Sequence, residues 1–218
     1  MSKVKDFPMK DAALVVADSV LGSDSEDSSK TKRFLLSALK TLFDGIYADK
    51  FEEDVVPIEF AEDGAVAPDA AELYTNTNAK CRVRKFAGDA DQDVVFSWPV
   101  PKYLDATAKP QFLVEYIVSE AAVPAEGEIV AFSLEGYSVG DGDNTTAAFG
   151  AAVTSSKTHG AGDAQHDRYT TAQSGDVTVT DLAAGELAFF KLKRLATTTD
   201  TYGQKVAVCG VKILWKKT

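Results

Sequence analysis

The sequence predicts a mainly β protein, a small N-terminal strand–loop–helix unit followed by an antiparallel β-sandwich of jelly-roll type. Three observations carry this. From Lys80 onward, short alternating apolar runs recur, each closed by a Gly- or Asp-containing turn. No convincing helix separates these runs, so no parallel strand–helix–strand unit fits. Before Asp54 the period changes: Leu35, Leu39, Leu42 and Ile46 fall at spacings of four, three and four, which is helical.

Composition narrows the field. The 218 residues allow one full domain and a small appendage, and 45% hydrophobic residues are enough to bury a sizeable core. The formal net charge is −10, which repels phosphate backbones and argues against a nucleic-acid partner. No run of 18 apolar residues occurs, so no transmembrane helix and no membrane partner are expected. The start has positive charge before an apolar patch, but Asp18 breaks that patch and no signal peptide is expected. Two cysteines, Cys81 and Cys209, do not make a disulfide framework, and synthesis in a reducing cytoplasm fits.

Three regions follow in order: an attachment or oligomerisation module over 1–50, an acidic linker over 51–76 and a sandwich over 77–218. In the first, Ala12–Val16 is a short apolar run stopped by Gly22, and Ser23–Lys30 is a solvated loop. Phe34 opens the helical segment. Leu36, Phe43 and Tyr47 widen the stripe of Leu35, Leu39, Leu42 and Ile46 beyond what one short helix keeps dry, so it needs a partner. The linker carries Glu52, Glu53, Asp54, Glu59, Glu62 and Asp63 with Pro57, Gly64 and Pro68, and Val55–Phe60 is its one strand candidate. The sandwich strands are expected at Lys80–Ala87, Asp93–Trp98, Gln111–Ser119, Glu128–Val139, Phe149–Val153, Tyr169–Gln173, Val177–Leu182, Leu187–Leu195 and Lys205–Trp215. Val130, Phe132 and Leu134 point inward by alternation. Cys81 and Cys209 are also read as inward, as buried thiols that neighbouring strands could bring within bridging reach.

The pattern from Ala17 to Phe43 resembles a module near the N-termini of tailed-bacteriophage fibre and appendage proteins. Asp18, Leu21, Gly22, Asp24, Lys30, Thr31, Lys32, Phe34 and Leu39 occupy its positions. Leu35 departs from it, standing where such modules often place a capping Thr or Ser; loss of a cap costs about 1 kcal/mol. The C-terminal half looks like β-sandwich domains of phage virion proteins, through Trp98-Pro99-Val100-Pro101, the Gly- and Ala-rich middle, Ala184–Arg194 and Lys205–Trp215. The resemblance implies a structural virion protein (fibre, spike or decoration) made in the host cytoplasm. It would dock on capsid or tail proteins and form a homotrimer. The interface would be Leu35, Leu36, Leu39, Leu42, Phe43, Ile46 and Tyr47.

Few residues suggest chemistry. Asp89, Asp91 and Asp93 have the spacing of a Ca2+ loop, but Val94 and Val100 stand where an EF-hand needs Gly and Glu, and a solvated turn explains the same residues. No other cofactor is suggested. His159 and His166, with Asp163 and Asp167 nearby, lack a third nitrogen or a Cys for zinc and are expected to be solvent-exposed. No G-x-S-x-G or phosphate loop is present, and no enzyme is expected. Trp98, Phe132, Phe189, Phe190 and Trp215 read as core. Tyr137, Asp141, Asp143 and Tyr169 form the candidate ligand-binding loop set. Tyr with Asp on sandwich loops can hold a sugar by its C–H face and its hydroxyls, so the alternative function is a receptor- or carbohydrate-binding module that touches a host surface glycan. Tyr202, also near a loop, belongs to the same aromatic group.

Overall fold

The computed structural model describes residues 51–76 and 78–218. The attachment stripe from Leu35 to Tyr47 lies outside the described residues. Those that are described form two six-stranded sheets packed face to face, with one 3-10 turn at Ile58–Phe60 as their helical element.

The first sheet contains β1 (Phe51–Pro57), β3 (Glu72–Thr75), β4 (Lys80–Phe86), β6 (Gln111–Ile117), β9 (Arg168–Thr170) and β12 (Val206–Lys216). Its order is β3-β4-β12-β6-β9, with β1 also paired to β12. The second contains β2 (Glu62–Asp63), β5 (Asp93–Pro99), β7 (Ile129–Val139), β8 (Val153–Thr158), β10 (Val179–Thr180) and β11 (Leu187–Arg194). Its order is β10-β7-β11-β5-β2, with β8 also on β7. Every pairing is antiparallel except β10 with β7.

Alternation explains the core. Along β11, Ala188, Phe190, Leu192 and Arg194 are buried while Leu187, Phe189, Lys191 and Lys193 face the other way. Phe86, Phe112, Val114 and Tyr116 of the first sheet meet Phe96, Trp98, Phe132 and Phe190 of the second in one cluster. Phe132 bridges the layers, edge-on to Phe86 at 5.8 Å and tilted against Tyr116 at 6.3 Å. Gly136 makes room for Phe190, whose ring carbons lie 2.7 Å from where a Cβ would stand.

Three expectations change. Residues 51–76 are not a linker: β1 runs in full register along β12 from Phe51↔Lys216 to Pro57↔Gly210, and β2 and β3 pair with β5 and β4. Most of their acids are exposed, Glu52, Glu53, Glu62, Asp63 and Glu72 among them, whereas Asp54 and Glu59 are half-buried. The strand expected at Phe149–Val153 begins instead at Val153, where it pairs with Leu134. Cys81 and Cys209 face away from the main core. They are free, half-buried thiols packed on a satellite cluster of Tyr74, Val83, Ile117 and Ala207. Burial and the neighbouring Cys81 push the Cys209 thiol up to about 12.

The deepest polar feature is an ion pair. Arg194 and Asp200 have fully buried side chains. Arg194 Nε and Nη2 donate to Asp200 Oδ2 and Oδ1 at 2.8 and 3.0 Å, and the remaining N–H groups donate to the carbonyls of Phe86, Gln204 and Tyr202. Asp200 also accepts from the backbone N–H of Ala131 and Tyr202. Removing one partner leaves a buried charge uncompensated. Asp200→Ala and Arg194→Met should each lower the unfolding free energy by about 3–5 kcal/mol in denaturant titrations, and the double variant Arg194→Met/Asp200→Leu should lose less than the sum.

Candidate functional site

Two places gather chemistry-bearing side chains. One is a cleft on the outer face of the second sheet, at the end where β7 and β11 close. The register of β11 on β7 sets Phe189 opposite Tyr137 and Leu187 opposite Val139. These belong to the outward half of each alternation, so their rings lie side by side, stacked with centroids 5.4 Å apart. Phe149, from the loop after β7, meets Tyr137 edge-on at 5.0 Å. Lys191 lies over Phe149 with Nζ 4.9 Å from the ring centroid and is paired with Glu135.

Beside this aromatic strip is a cleft of about 420 Å3 lined by Val139, Gly140, Asp141, Thr145, Gly185, Glu186, Leu187 and Phe189. A second cleft of about 390 Å3 lies against Ser138, Asp143, Asn144, Thr146, Ala147 and Asp181. Local hydrogen bonds shape the intervening loop. Gly142, with φ at +85°, turns the chain, and Asp143 Oδ2 accepts from the Gly140 N–H at 2.9 Å. The Asn144 carboxamide oxygen accepts from the N–H and hydroxyl of Thr146. Tyr137 Oη donates to the Thr145 carbonyl at 2.9 Å, tying the aromatic strip to the loop. Ser138 Oγ donates to Glu186 Oε2 at 2.9 Å, and Glu186 Oε1 stands 2.7 Å from where a Cβ on Gly140 would lie.

The candidate set Tyr137, Asp141, Asp143 and Tyr169 is therefore only partly brought together. The first three surround this loop, although Tyr137 is itself buried. Tyr169 belongs to β9, on the first sheet, where it pairs with Tyr116. Phe189, read as core, is the aromatic that borders the cleft, and Glu186 is the acceptor that sequence reading passed over. A signal for Phe189 was available: in a strand, adjacent Phe189 and Phe190 must face opposite sides. Phe60 and Tyr103 are more exposed but line neither cleft.

The second place is a buried polar cluster between the sheets. His159, expected in solvent, is only 2% exposed. Its Nδ1 lies 2.7 Å from Asp163 Oδ2 and its Nε2 2.8 Å from Tyr116 Oη. The imidazole thus bridges the Asp163 carboxylate and the Tyr116 hydroxyl. Tyr169 stands edge-on to the imidazole at 4.8 Å. Burial alone would raise the Asp163 carboxyl, but the Gly160 N–H and His159 outweigh it and hold it below the ordinary aspartate value. Both ring nitrogens of His159 have a partner and the ring is buried, so the cluster closes the loop onto the core. His166 is exposed and bonds Tyr74 Oη through Nδ1 at 2.6 Å, so the two histidines share no ligand.

The three aspartates with Ca2+-loop spacing do not converge. Asp93 is buried and accepts from the N–H groups of Ala65 and Val66. Asp91 accepts from the Thr197 N–H and hydroxyl and pairs with Lys193 at 2.9 Å. Asp89 is exposed on the turn. Among the described residues no three His, Cys, Asp or Glu side chains gather as metal ligands.

Burial raises the Tyr116 hydroxyl far above the ordinary value of 10.0 and pushes that of Tyr202 up to about 12. A raised value favours the protonated native state, so this stability is complete below the unfolded value and is lost as pH rises past it. Unfolding free energy should therefore fall above about pH 10. Tyrosinate absorbance should include a component that rises together with loss of tertiary circular dichroism. Simple noncooperative ionisation of all tyrosines near the ordinary value would contradict the burial.

No protein-family model and no curated protein matches the chain. Several solved structures align with the chain at low identity. The family 11 carbohydrate-binding module from Clostridium thermocellum, solved with a β-1,3-1,4-mixed-linked tetrasaccharide, shows 11% identity over 76% of this chain and 88% of its own, with a TM-score of 0.35. The CBM22-2 xylan-binding domain from Paenibacillus barcinonensis Xyn10C shows 15% identity over 78% and 89%, with a TM-score of 0.36. A protein of unknown function, SO2946 from Shewanella oneidensis MR-1, shows 12% identity over 86% and 97%, with a TM-score of 0.30.

Proposed function

We propose that the β-sandwich is a carbohydrate-binding module whose ligand lies in the cleft beside Phe189. The observation that supports this most is the pairing of a half-exposed aromatic, stacked on Tyr137, with a cleft wall of oxygen acceptors. A sugar ring has an apolar C–H face and a rim of hydroxyl donors. Phe189, Leu187 and Val139 suit the face; Asp141, Glu186 and Thr145 suit the rim. The cleft volume falls in the range of small-ligand sites, about 300–1,000 Å3. In this reading the protein acts by binding, with no bond broken. Phe189→Ala should weaken retention of the recognised glycan in affinity electrophoresis by about tenfold or more, as for a central aromatic anchor, with the fold retained by circular dichroism. A wild-type protein that retains no glycan across a broad array, or a Phe189→Ala variant that binds as wild type, would contradict the reading.

The pattern of Asp18, Gly22, Asp24, Lys30–Lys32, Phe34 and Leu39 supports a second, compatible reading. The module would be carried on a tailed-phage virion by its first 50 residues, with capsid or tail proteins as partners and self-association through Leu35–Tyr47. In the full-length chain, Leu39→Asp with Leu42→Asp should then abolish oligomers in analytical ultracentrifugation and co-sedimentation with virions. Unchanged assembly in both assays would overturn it.

A further inference from the structure

The linings of the two clefts share a charge. Asp141 and Glu186 line the first, Asp143 and Asp181 the second, and among the described residues no lysine, arginine or histidine lines either. The four carboxylates are spread around one loop and its neighbour, and among the described residues none of them forms an ion pair. Asp143 is bonded to a backbone N–H and Glu186 to a serine hydroxyl. Asp141 is exposed. Asp181 has φ at 55°, left-handed for a residue with a side chain, which is a costly conformation held at the wall of the second cleft.

The two clefts also meet. Ser138 borders the second and bonds Glu186 of the first. Gly140 borders the first and bonds Asp143 of the second. Gly140 has no side chain where Glu186 Oε1 and Asp143 Oδ2 approach, 2.7 and 3.0 Å from the position of a Cβ. Neighbouring cations stand apart. Lys191 is neutralised by Glu135, and Lys102, whose Cγ lies 3.7 Å from the open Cβ position of Gly185, lies outside both linings. The chain as a whole adds a net charge of −10.

We infer that the site selects amine-bearing oligosaccharides: a protonated amino sugar set against the carboxylates around Gly140, with the chain continuing past the 140–147 loop into the second cleft. This rests on the carbohydrate reading of the first cleft. Phe189 supplies stacking to any pyranose, whereas the carboxylates distinguish sugars by charge. An ammonium gains from each of them, a neutral sugar gains hydrogen bonds only, and a uronate or sulfated sugar is repelled. The attraction is partly exposed to water, so each carboxylate contributes modestly and is screened by salt.

Isothermal titration of the full-length protein with three short oligomers tests this: glucosamine, its N-acetylated counterpart and galacturonate, at a pH where the amine is protonated. The amine-bearing oligomer should bind most tightly, the N-acetylated one more weakly, and the uronate without detectable heat. The advantage of the amine should shrink as salt rises. It should also fall about two- to fivefold in Glu186→Gln and in Asp141→Asn, because losing the charge weakens binding of the amine-bearing oligomer more than that of the N-acetylated one. Gln at 186 still offers an oxygen to Ser138, and Asn at 141 sits on an exposed turn, so the two variants check each other against misfolding. Equal binding of the amine and its N-acetylated form at all salt concentrations, or tight uronate binding, would overturn the charge selectivity and leave the sugar site standing. Failure of all three, together with a broad set of neutral oligosaccharides, would overturn both.

Discussion

A buried guanidinium with every N–H used is a demanding constraint, and Arg194 imposes it at the end of β11. Its partners come from the end of β4, from the segment between β11 and β12 and, through Asp200, from β7. None of these groups can leave without stranding a charge in the core, where desolvation costs several kcal/mol per ion. The pair therefore clasps the two sheets at one end of the sandwich. It also sets where the return segment to β12 must run. Arg84 plays a smaller version of this part on the 61–69 segment. It donates to the carbonyls of Ala61 and Asp69 and pairs with Asp63, while Asp93 takes the N–H groups of Ala65 and Val66.

The cleft depends on that rigidity at one remove. The site stands at the opposite end of the same strands, where β7 and β11 run out into the 140–147 and 181–186 connections. Their register, held over eight residue pairs from Leu187↔Val139 to Arg194↔Phe132, carries order from the ion pair to the aromatic strip. The strip then organises the loop, since Tyr137 bonds Thr145 and Ser138 bonds Glu186. A binding surface built this way has its apolar platform on a sheet and its polar groups on short, hydrogen-bonded turns.

How much of this was legible in the sequence follows from particular residues. β4, β5, β6, β7, β11 and β12 announce themselves by alternation, because one face of each is buried. β1 does not: Glu52, Glu53 and Asp54 look like linker, yet Glu53 pairs with Lys212 and Asp54 accepts from the Trp98 indole N–H, contacts that need strands far along the chain. His159 reads as a loop histidine amid Gly and Ala until β6 places Tyr116 beneath it. Cys81 and Cys209 obey their alternation but on the outward side, where Tyr74 and Ile117 make a second small cluster. Of the site, Asp141 and Asp143 were visible as turn residues next to Tyr137. Phe189 was hidden by its neighbour Phe190, and Glu186 gains a role only through Ser138, 48 residues away. Tertiary pairing, not local pattern, creates the cleft.

The central claim, that this cleft takes a sugar, is tested most directly by mapping where a sugar touches the protein. Titrating an oligosaccharide that the protein retains into isotopically labelled full-length chain, and following backbone amide shifts, reads the site without any substitution. The account predicts that the amides that move are those of 138–147 and 185–189, around Phe189, while those of β6, β9 and the His159 cluster stay in place. Shifts confined to any other face of the sandwich would contradict it.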